Sequence, residues 1–319
     1  MRQNTRMHTT ANRWIGALAA LALACSLVAC GGGSSSSATV AAAPAPPALV
    51  SNIAIDGRNW INFRRSQIGI PQLTPSPLVD RAAQAHSDYQ RLNDTITHGE
   101  IAGKPGFTGA NLLERLTTAG YTFATNSYAY GEVISATSSN SGVYMAEELI
   151  TAIYHRFAIF EPMFKEIGTG FGTSAKNRTQ NYTYFTADFT ANDGYGAGVA
   201  PGTVVTWPYS GQTQVTPNFF SDYEQPDPVP EKNEVGYPIS VHANLNAVMA
   251  VNTFTIRPRG GADLATKRIL HYSDVAETVP VAAAIVPLDP LRAATMYDVS
   301  FTGSVNLFPV AKAWSFTTR

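Results

Sequence analysis

The stretch LVDRAAQAHSDY, residues 78–89, follows a proline and has apolar side chains at positions 78, 79, 82, 85 and 89. This spacing is typical of a helix with one buried face, and proline is tolerated in a first helical turn. Residues 109–119 and 144–157 predict two more helices. Residues 167–173 and 182–189 predict a strand hairpin, because side chains alternate along the second strand and a polar turn separates the two.

Beyond residue 204 the chain changes to short runs separated by Pro, Gly and Asn. We predict seven strands here, at residues 204–207, 239–244, 251–257, 269–272, 281–286, 296–302 and 313–318. Seven short strands with turn residues between them are typical of a β-sandwich. The predicted fold class is therefore α+β, with a mixed first domain followed by an all-β domain.

The composition excludes one class of partner. The 319 residues carry 22 Lys and Arg against 23 Asp and Glu, and 45% are hydrophobic. This length fits two packed domains. No basic run is present, and nucleic-acid binding needs clustered cations, so we expect no nucleic-acid partner. The two cysteines, Cys25 and Cys30, precede both predicted domains, so no disulfide staples either domain.

The first thirty residues have the pattern of an export signal. Three arginines precede an apolar stretch at residues 14–29, which is shorter than the ~20 residues of a typical membrane-spanning helix. The sequence LVAC at 27–30 resembles the bacterial lipobox, which implies cleavage before Cys30 and lipidation of that residue. The alternative is an ordinary cleaved signal with an incidental cysteine. The Gly-, Ser-, Ala- and Pro-rich residues 30–50 predict a flexible tether.

Several short motifs of the first domain occur in a recognisable order. They are NFRR at 62–65, PQL at 71–73, AAQAHS at 82–87, His98, Arg115, GY at 120–121, GE at 131–132, YHR at 154–156 and IGTG at 167–170. Together they resemble the CAP superfamily of SCP/PR-1-like secreted proteins. This resemblance implies an α-β-α sandwich with a cleft lined by two histidines and two glutamates.

Carried over by position, the implied cleft tetrad is His98, Glu132, His155 and either Glu147 or Glu148. We favour Glu148, because it lies seven residues before His155 on the predicted helix and so shares its face, while Glu147 is turned ~100° away. The chain departs from the family where Val133 replaces the usual asparagine, and where the helix before residue 155 lacks its usual tryptophan.

Four further residues have ordinary interpretations. His86 is interpreted as a helix-surface or packing residue, and Glu100 as the cap or rim of the cleft. His242 and His271 are interpreted as structural or solvent-facing. The segments PLDPL at 287–291, TMYDVS at 295–300 and WSFTT at 314–318 resemble bacterial Ig-like domains.

These features predict a division into five parts. They are a lipoprotein signal peptide at 1–29, a tether at 30–50, a CAP domain at 51–195, a linker at 196–201 and an Ig-like β-sandwich at 202–319. We expect the chain in the bacterial cell envelope, held to the membrane through lipidated Cys30, and in the outer membrane if the host has two membranes.

Three functions fit the cleft residues. The leading hypothesis is a non-enzymatic protein whose cleft binds a lipid, glycan or peptide, or a divalent cation such as zinc through His98, His155 and Glu132, while the Ig-like domain acts as a spacer or binds a protein. The second is a metal-assisted hydrolase of envelope peptides or glycans, with Glu132 or Glu148 as general base. The third is an architectural adhesin in which the tetrad is a stabilising network. No nucleophile with a matched base is evident, so no catalytic residue is assigned.

Overall fold

The computed structural model describes residues 45–124, 127–175, 180–273 and 278–319. The predicted leader at 1–29 and Cys30 lie outside the described residues. In the first half, helices are α1 (Ile53–Gln67), α2 (Pro77–Asn93), α3 (Leu112–Thr118), α4 (Gly142–Thr151) and α5 (Ile153–Ile159), and strands are β1 (Thr74–Pro75), β2 (Ala129–Thr137), β3 (Glu166–Ser174) and β4 (Tyr182–Ala191).

The first half is an α-β-α sandwich. Its sheet has the order β1-β3-β4-β2, in which β1 is parallel to β3 and the other pairs are antiparallel. Neighbouring residues of β3 show the two layers. Gly168 faces α2 so closely that a Cβ would lie 2.1 Å from the carbonyl carbon of Val79, while the Thr169 hydroxyl donates to the Ala54 carbonyl of α1. The glycine therefore lets α2 lie directly on the sheet.

The helix predicted over 144–157 is wrong at one point, because the chain divides it into α4 and α5. Ala152 takes an extended conformation with ψ of 124° and separates the two helices. The argument that Glu148 and His155 share one helix face therefore fails. The other helix predictions are confirmed, with α2 at 77–93 and α3 at 112–118.

The second half is all β. Its strands are β5 (Val204–Trp207), β6 (Asn218–Phe220), β7 (Glu234–Gly236), β8 (Ile239–Ala243), β9 (Met249–Pro258), β10 (Thr266–Leu270), β11 (Ala282–Pro287), β12 (Met296–Val305) and β13 (Phe308–Thr317). They form sheets of order β10-β11-β8-β5 and β13-β12-β9, with β6 and β7 as a separate pair. A strand overlaps each of the seven predicted ones, but the strand predicted at 269–272 ends at Leu270, where a 3-10 turn begins, and β6 and β7 are additional. The predicted α+β class with a β-sandwich region is confirmed.

The two halves share one apolar core. Phe160 of α5 packs edge-on against Trp207 of β5, with ring centroids 5.3 Å apart. The buried Arg156 guanidinium donates to the Pro238 carbonyl and the Ser240 hydroxyl of the second half, at 2.7 and 3.3 Å. Because these contacts are buried, the halves pack as one body. Of the helices in the described part of the chain, none combines the length and apolarity that a membrane crossing requires.

Candidate functional site

A buried cluster of charged side chains joins α2, α3, β2 and the loop that follows α2. Glu132 of β2 lies at its centre. One of its carboxylate oxygens is 2.8 Å from Nδ1 of His98, and the other accepts a hydrogen bond from Arg115 at 2.5 Å. Arg115 of α3 also donates to the His98 backbone carbonyl, which fixes the loop that carries the imidazole. The structure therefore brings His98 and Glu132 into direct contact.

His86 and Glu100 form a second pair in the same cluster. Nδ1 of His86 lies 2.8 Å from the Glu100 carboxylate, and its Nε2 lies 2.7 Å from the Thr97 carbonyl. Both neighbours are acceptors, so both ring nitrogens donate only when the ring is an imidazolium. His86 is fully buried, which agrees with packing rather than the helix surface. Glu100 is also buried and accepts from the Thr108 amide at 2.6 Å, so it belongs to the cluster itself rather than to a rim.

Asp188 completes the cluster from β4. It pairs with Glu132 in the strand register and is fully buried, and neither of its carboxylate oxygens accepts a hydrogen bond from the described residues. Burial, followed by the charge of Glu132, raises the pKa of Asp188 well above its ordinary value. A protonated Asp188 has a hydroxyl that can donate to the neighbouring Glu132, while its carbonyl oxygen has no partner among the described residues. The cluster then holds the Arg115 guanidinium against the carboxylates of Glu132 and Glu100.

The two glutamates of the cluster remain ionised. Burial alone would raise the pKa of Glu132, but the charges of Arg115 and His86 hold it well below its usual range. Burial likewise opposes ionisation of Glu100, and hydrogen bonds from His86 and Thr108 lower its pKa. Because both carboxylates are paired with buried cations, removing either partner would leave an unbalanced buried charge.

His155 lies in a different arrangement from the predicted one. Its Nδ1 is 2.9 Å from the carboxylate of Glu224, a fully buried residue that follows β6 in the second half. The same carboxylate accepts the backbone amides of Ile153, Tyr154 and His155 at 2.8, 2.7 and 3.0 Å. Glu224 thus satisfies the first amides of α5, which have no partner within the helix. This contact stabilises the break between α4 and α5.

The two candidate glutamates of α4 take other partners. Glu147 accepts from the Trp60 indole at 2.6 Å and from the Arg64 guanidinium at 2.9 and 3.0 Å, so it ties α4 to α1. Glu148 interacts with the Tyr144 hydroxyl, and partial burial of its carboxyl raises its pKa. The convergence of His98, Glu132, Glu148 and His155 on one cleft stays a prediction.

The predicted metal ligands have partners within the protein. Within the described ranges, no group of three or more His, Cys, Asp or Glu side chains is arranged to hold a metal ion. Nδ1 of His98 and both oxygens of Glu132 are engaged within the protein, and His155 pairs with Glu224. Coordination of a divalent cation by His98, His155 and Glu132 therefore stays a prediction.

Three members of this region were missed by sequence reasoning. Arg115 was noted only as part of a family pattern, Asp188 as one position of an alternating strand, and Glu224 not at all. A charged residue inside the otherwise apolar and hydroxylated strand 182–191 was the available signal for Asp188. Glu224 has none, because its partners lie about 70 residues away in the sequence.

With the geometry established, comparisons with known proteins define the class of the first half. Residues 59–189 match the family model CAP, described as the cysteine-rich secretory protein family. These residues therefore form a CAP (SCP/PR-1) domain. No curated protein matches the sequence.

Two solved structures are among those similar to this chain. One is an extracellular protein containing a SCP domain from Bacillus anthracis strain Ames, with 21% identity, a TM-score of 0.34, and coverage of 43% of this chain and 39% of that one. The chain thus covers well under two thirds of that protein. The other is an outer surface protein from Borrelia burgdorferi, with 15% identity, a TM-score of 0.35, and coverage of 43% of this chain and 90% of that one.

Proposed function

We propose that this chain is a non-enzymatic binding protein of the bacterial envelope, anchored through lipidated Cys30, whose CAP domain holds its ligand at His98. The observation that carries the proposal is the state of Glu132. Both of its oxygens are engaged, one by His98 and one by Arg115, and its pKa is held well below the usual range. A carboxylate in this state is a poor general base.

His98 is the member of the cluster that solvent reaches. About a quarter of its side chain is exposed, whereas the side chains of His86, Glu100 and Arg115 are fully buried. Glu132 holds Nδ1, so Nε2 remains for a ligand and accepts a hydrogen bond from it when the ring is neutral. A glycan hydroxyl or a peptide amide fits this requirement better than a lipid tail, which offers no donor.

The location outside the cytoplasm is supported by two features. The sequence LVAC at residues 27–30 resembles a lipobox, and the family matched by residues 59–189 is described as secretory. The second half, as an Ig-like sandwich, would act as a spacer or bind a protein partner. Mass spectrometry of the native N-terminus tests the anchor: an acylated Cys30 is expected, and an unmodified N-terminal residue elsewhere would refute it.

The binding function is tested with residues 31–319, which include every described residue. Calorimetric titration with muropeptides, soluble glycan fragments and peptides is expected to find a ligand whose binding is lost in His98→Ala. The matched control is His271→Ala, because His271 is a partly buried histidine of the second half. Circular dichroism of both variants verifies the fold.

Three outcomes separate the competing functions. Binding without product formation, lost only in His98→Ala, supports the proposal. Cleavage of a fragment that Glu132→Gln abolishes would establish the hydrolase instead. Equal heats for His98→Ala and the unsubstituted protein across the whole panel would indicate an architectural role.

A further inference from the structure

The hairpin that joins β12 to β13 ends in an exposed apolar tip. Val305 pairs with Phe308, so Asn306 and Leu307 form a two-residue turn. Leu307 is 93% exposed and Phe308 is 72% exposed. Val248, in the neighbouring loop before β9, is 63% exposed. We call Val248, Leu307 and Phe308 the apolar tip.

Hydrogen bonds between Asn306 and Val248 hold the two parts of the apolar tip together. The Asn306 amide donates to the Val248 carbonyl at 2.9 Å, and the Val248 amide donates to the Asn306 side chain at 2.8 Å. These two bonds join the hairpin to the loop before β9. The three apolar side chains are therefore presented together rather than scattered singly over the surface.

The turn carries a residue that its backbone disfavours. Asn306 and Leu307 both have positive φ, 51° and 71°, as in a type I′ turn, whose second position favours glycine. Leucine there is strained, because its Cβ crowds the backbone in the left-handed region. A strained and almost fully exposed leucine stabilises neither the turn nor the core. A residue that the turn disfavours, kept at such a position, indicates a role in binding another molecule.

This end of the second half carries no charge in its described loops. Residues 198–206, 243–253, 278–284 and 302–310 contain no Asp, Glu, Lys or Arg. Hydrogen bonds place these stretches together: the Val199 amide donates to Asn244, and the Met249 amide donates to Pro280. These four stretches therefore add no charged side chain beside the apolar tip.

We propose that the apolar tip inserts into the interface of a lipid bilayer. A second copy or a protein partner is disfavoured by area, because a stable protein interface needs about 800 Å² from each side, and three side chains at a protruding turn do not supply it. A bilayer accepts a convex apolar tip without a complementary shape. This proposal does not rest on the His98 site, and the test omits lipidated Cys30.

The test uses residues 31–319, which contain no cysteine, so one introduced thiol can be labelled specifically. A bimane label on Leu307→Cys is titrated with neutral phosphatidylcholine vesicles, up to about 5 mM lipid because three side chains bind more weakly than the ~10⁴ M⁻¹ of one myristoyl chain. The matched control is Ala293→Cys, which is exposed and precedes the opposite end of β12. A blue shift is expected at position 307 and none at position 293.

Variants at the turn separate binding from folding. Leu307→Gly relieves the positive φ and is expected to raise the urea midpoint, while vesicle binding falls about tenfold because one large apolar side chain is lost. Phe308→Asp is expected to abolish vesicle sedimentation. Adding phosphatidylglycerol is expected to leave the affinity unchanged, since the tip is uncharged.

Each contrary result overturns the proposal. No shift at position 307 would show that the tip stays in water. Equal shifts at positions 307 and 293, or binding only to vesicles with anionic lipid, would assign binding to another surface. A lipid-independent dimer that Leu307→Gly dissociates would identify a second copy as the occupant.

Discussion

Replacing Glu224 by glutamine removes a fully buried negative charge that joins the two halves of the chain. One carboxylate oxygen accepts the Tyr154 and His155 amides and Nδ1 of His155, and the other accepts the Ile153 amide at 2.8 Å. Glutamine has one acceptor oxygen. Whichever way the glutamine side chain is turned, its NH₂ group, which is a donor, must face either the Ile153 amide or the donors of Tyr154 and His155, and those donors then lose their acceptor.

The size of the effect follows from this count. With the glutamine oxygen toward Tyr154 and His155, the Ile153 amide is left buried without an acceptor, which costs about 1–3 kcal/mol. The remaining bonds lose the assistance of the negative charge and weaken further. We expect Glu224→Gln to lower the free energy of unfolding by about 2–4 kcal/mol.

The measurement is urea unfolding of residues 31–319, followed by tryptophan fluorescence. Glu234→Gln is the matched control, because Glu234 is an exposed glutamate of the second half whose side chain accepts from Asn218. This control is expected to stay within about 0.5 kcal/mol of the unsubstituted protein. If Glu224→Gln unfolds at the same urea concentration as Glu234→Gln, the Glu224 contact between the halves does not stabilise the folded protein.

Three further predictions concern the first half. Folded Asp188 keeps its proton because its pKa is raised, whereas the unfolded chain loses that proton above about pH 4, so the protein loses stability as pH rises. Asp188→Asn has no proton to lose, so its free energy of unfolding, measured in urea, should increase relative to that of the unsubstituted protein between about pH 4 and 8. Parallel pH profiles for the two proteins would contradict this. Gly168→Ala places a Cβ 2.1 Å from backbone of Val79 and should cost about 3 kcal/mol; a melting temperature within one degree of the unsubstituted protein would refute the close approach of α2. Glu147→Gln weakens a part-exposed pair with Arg64 and should cost about 1 kcal/mol at low salt, with the difference shrinking in 1 M NaCl; a salt-independent loss would argue against an ionic contribution.

Features set by local pattern were predictable from the sequence. The strand 204–207 has the predicted bounds, and α2 spans 77–93 around the predicted 78–89. The contact between His98 and Glu132 agrees with positions that the CAP resemblance implied. In each case the deciding information lies within one element or in the order of short motifs.

Features set by tertiary contacts were not predictable. Residues 144–157 have helical composition throughout, and the break at Ala152 is stabilised by a carboxylate from position 224. The same contact gives His155 a partner in the second half instead of the predicted glutamate on its own helix. Asp188 could be noticed as a charged residue within strand 182–191, but its place beside Glu132 depends on the pairing of β4 with β2.

The shared core limits how the two halves can be separated. A chain cut near residue 195 would retain Phe160 but lose Trp207, and it would leave the Arg156 guanidinium without the Pro238 carbonyl. The freed first half would expose to water the apolar surface around Phe160 that the second half covers, and such a surface favours aggregation. A gene rearrangement that moved the CAP segment without the second half would then yield a less soluble protein. We therefore expect the CAP segment and the second half to be inherited together.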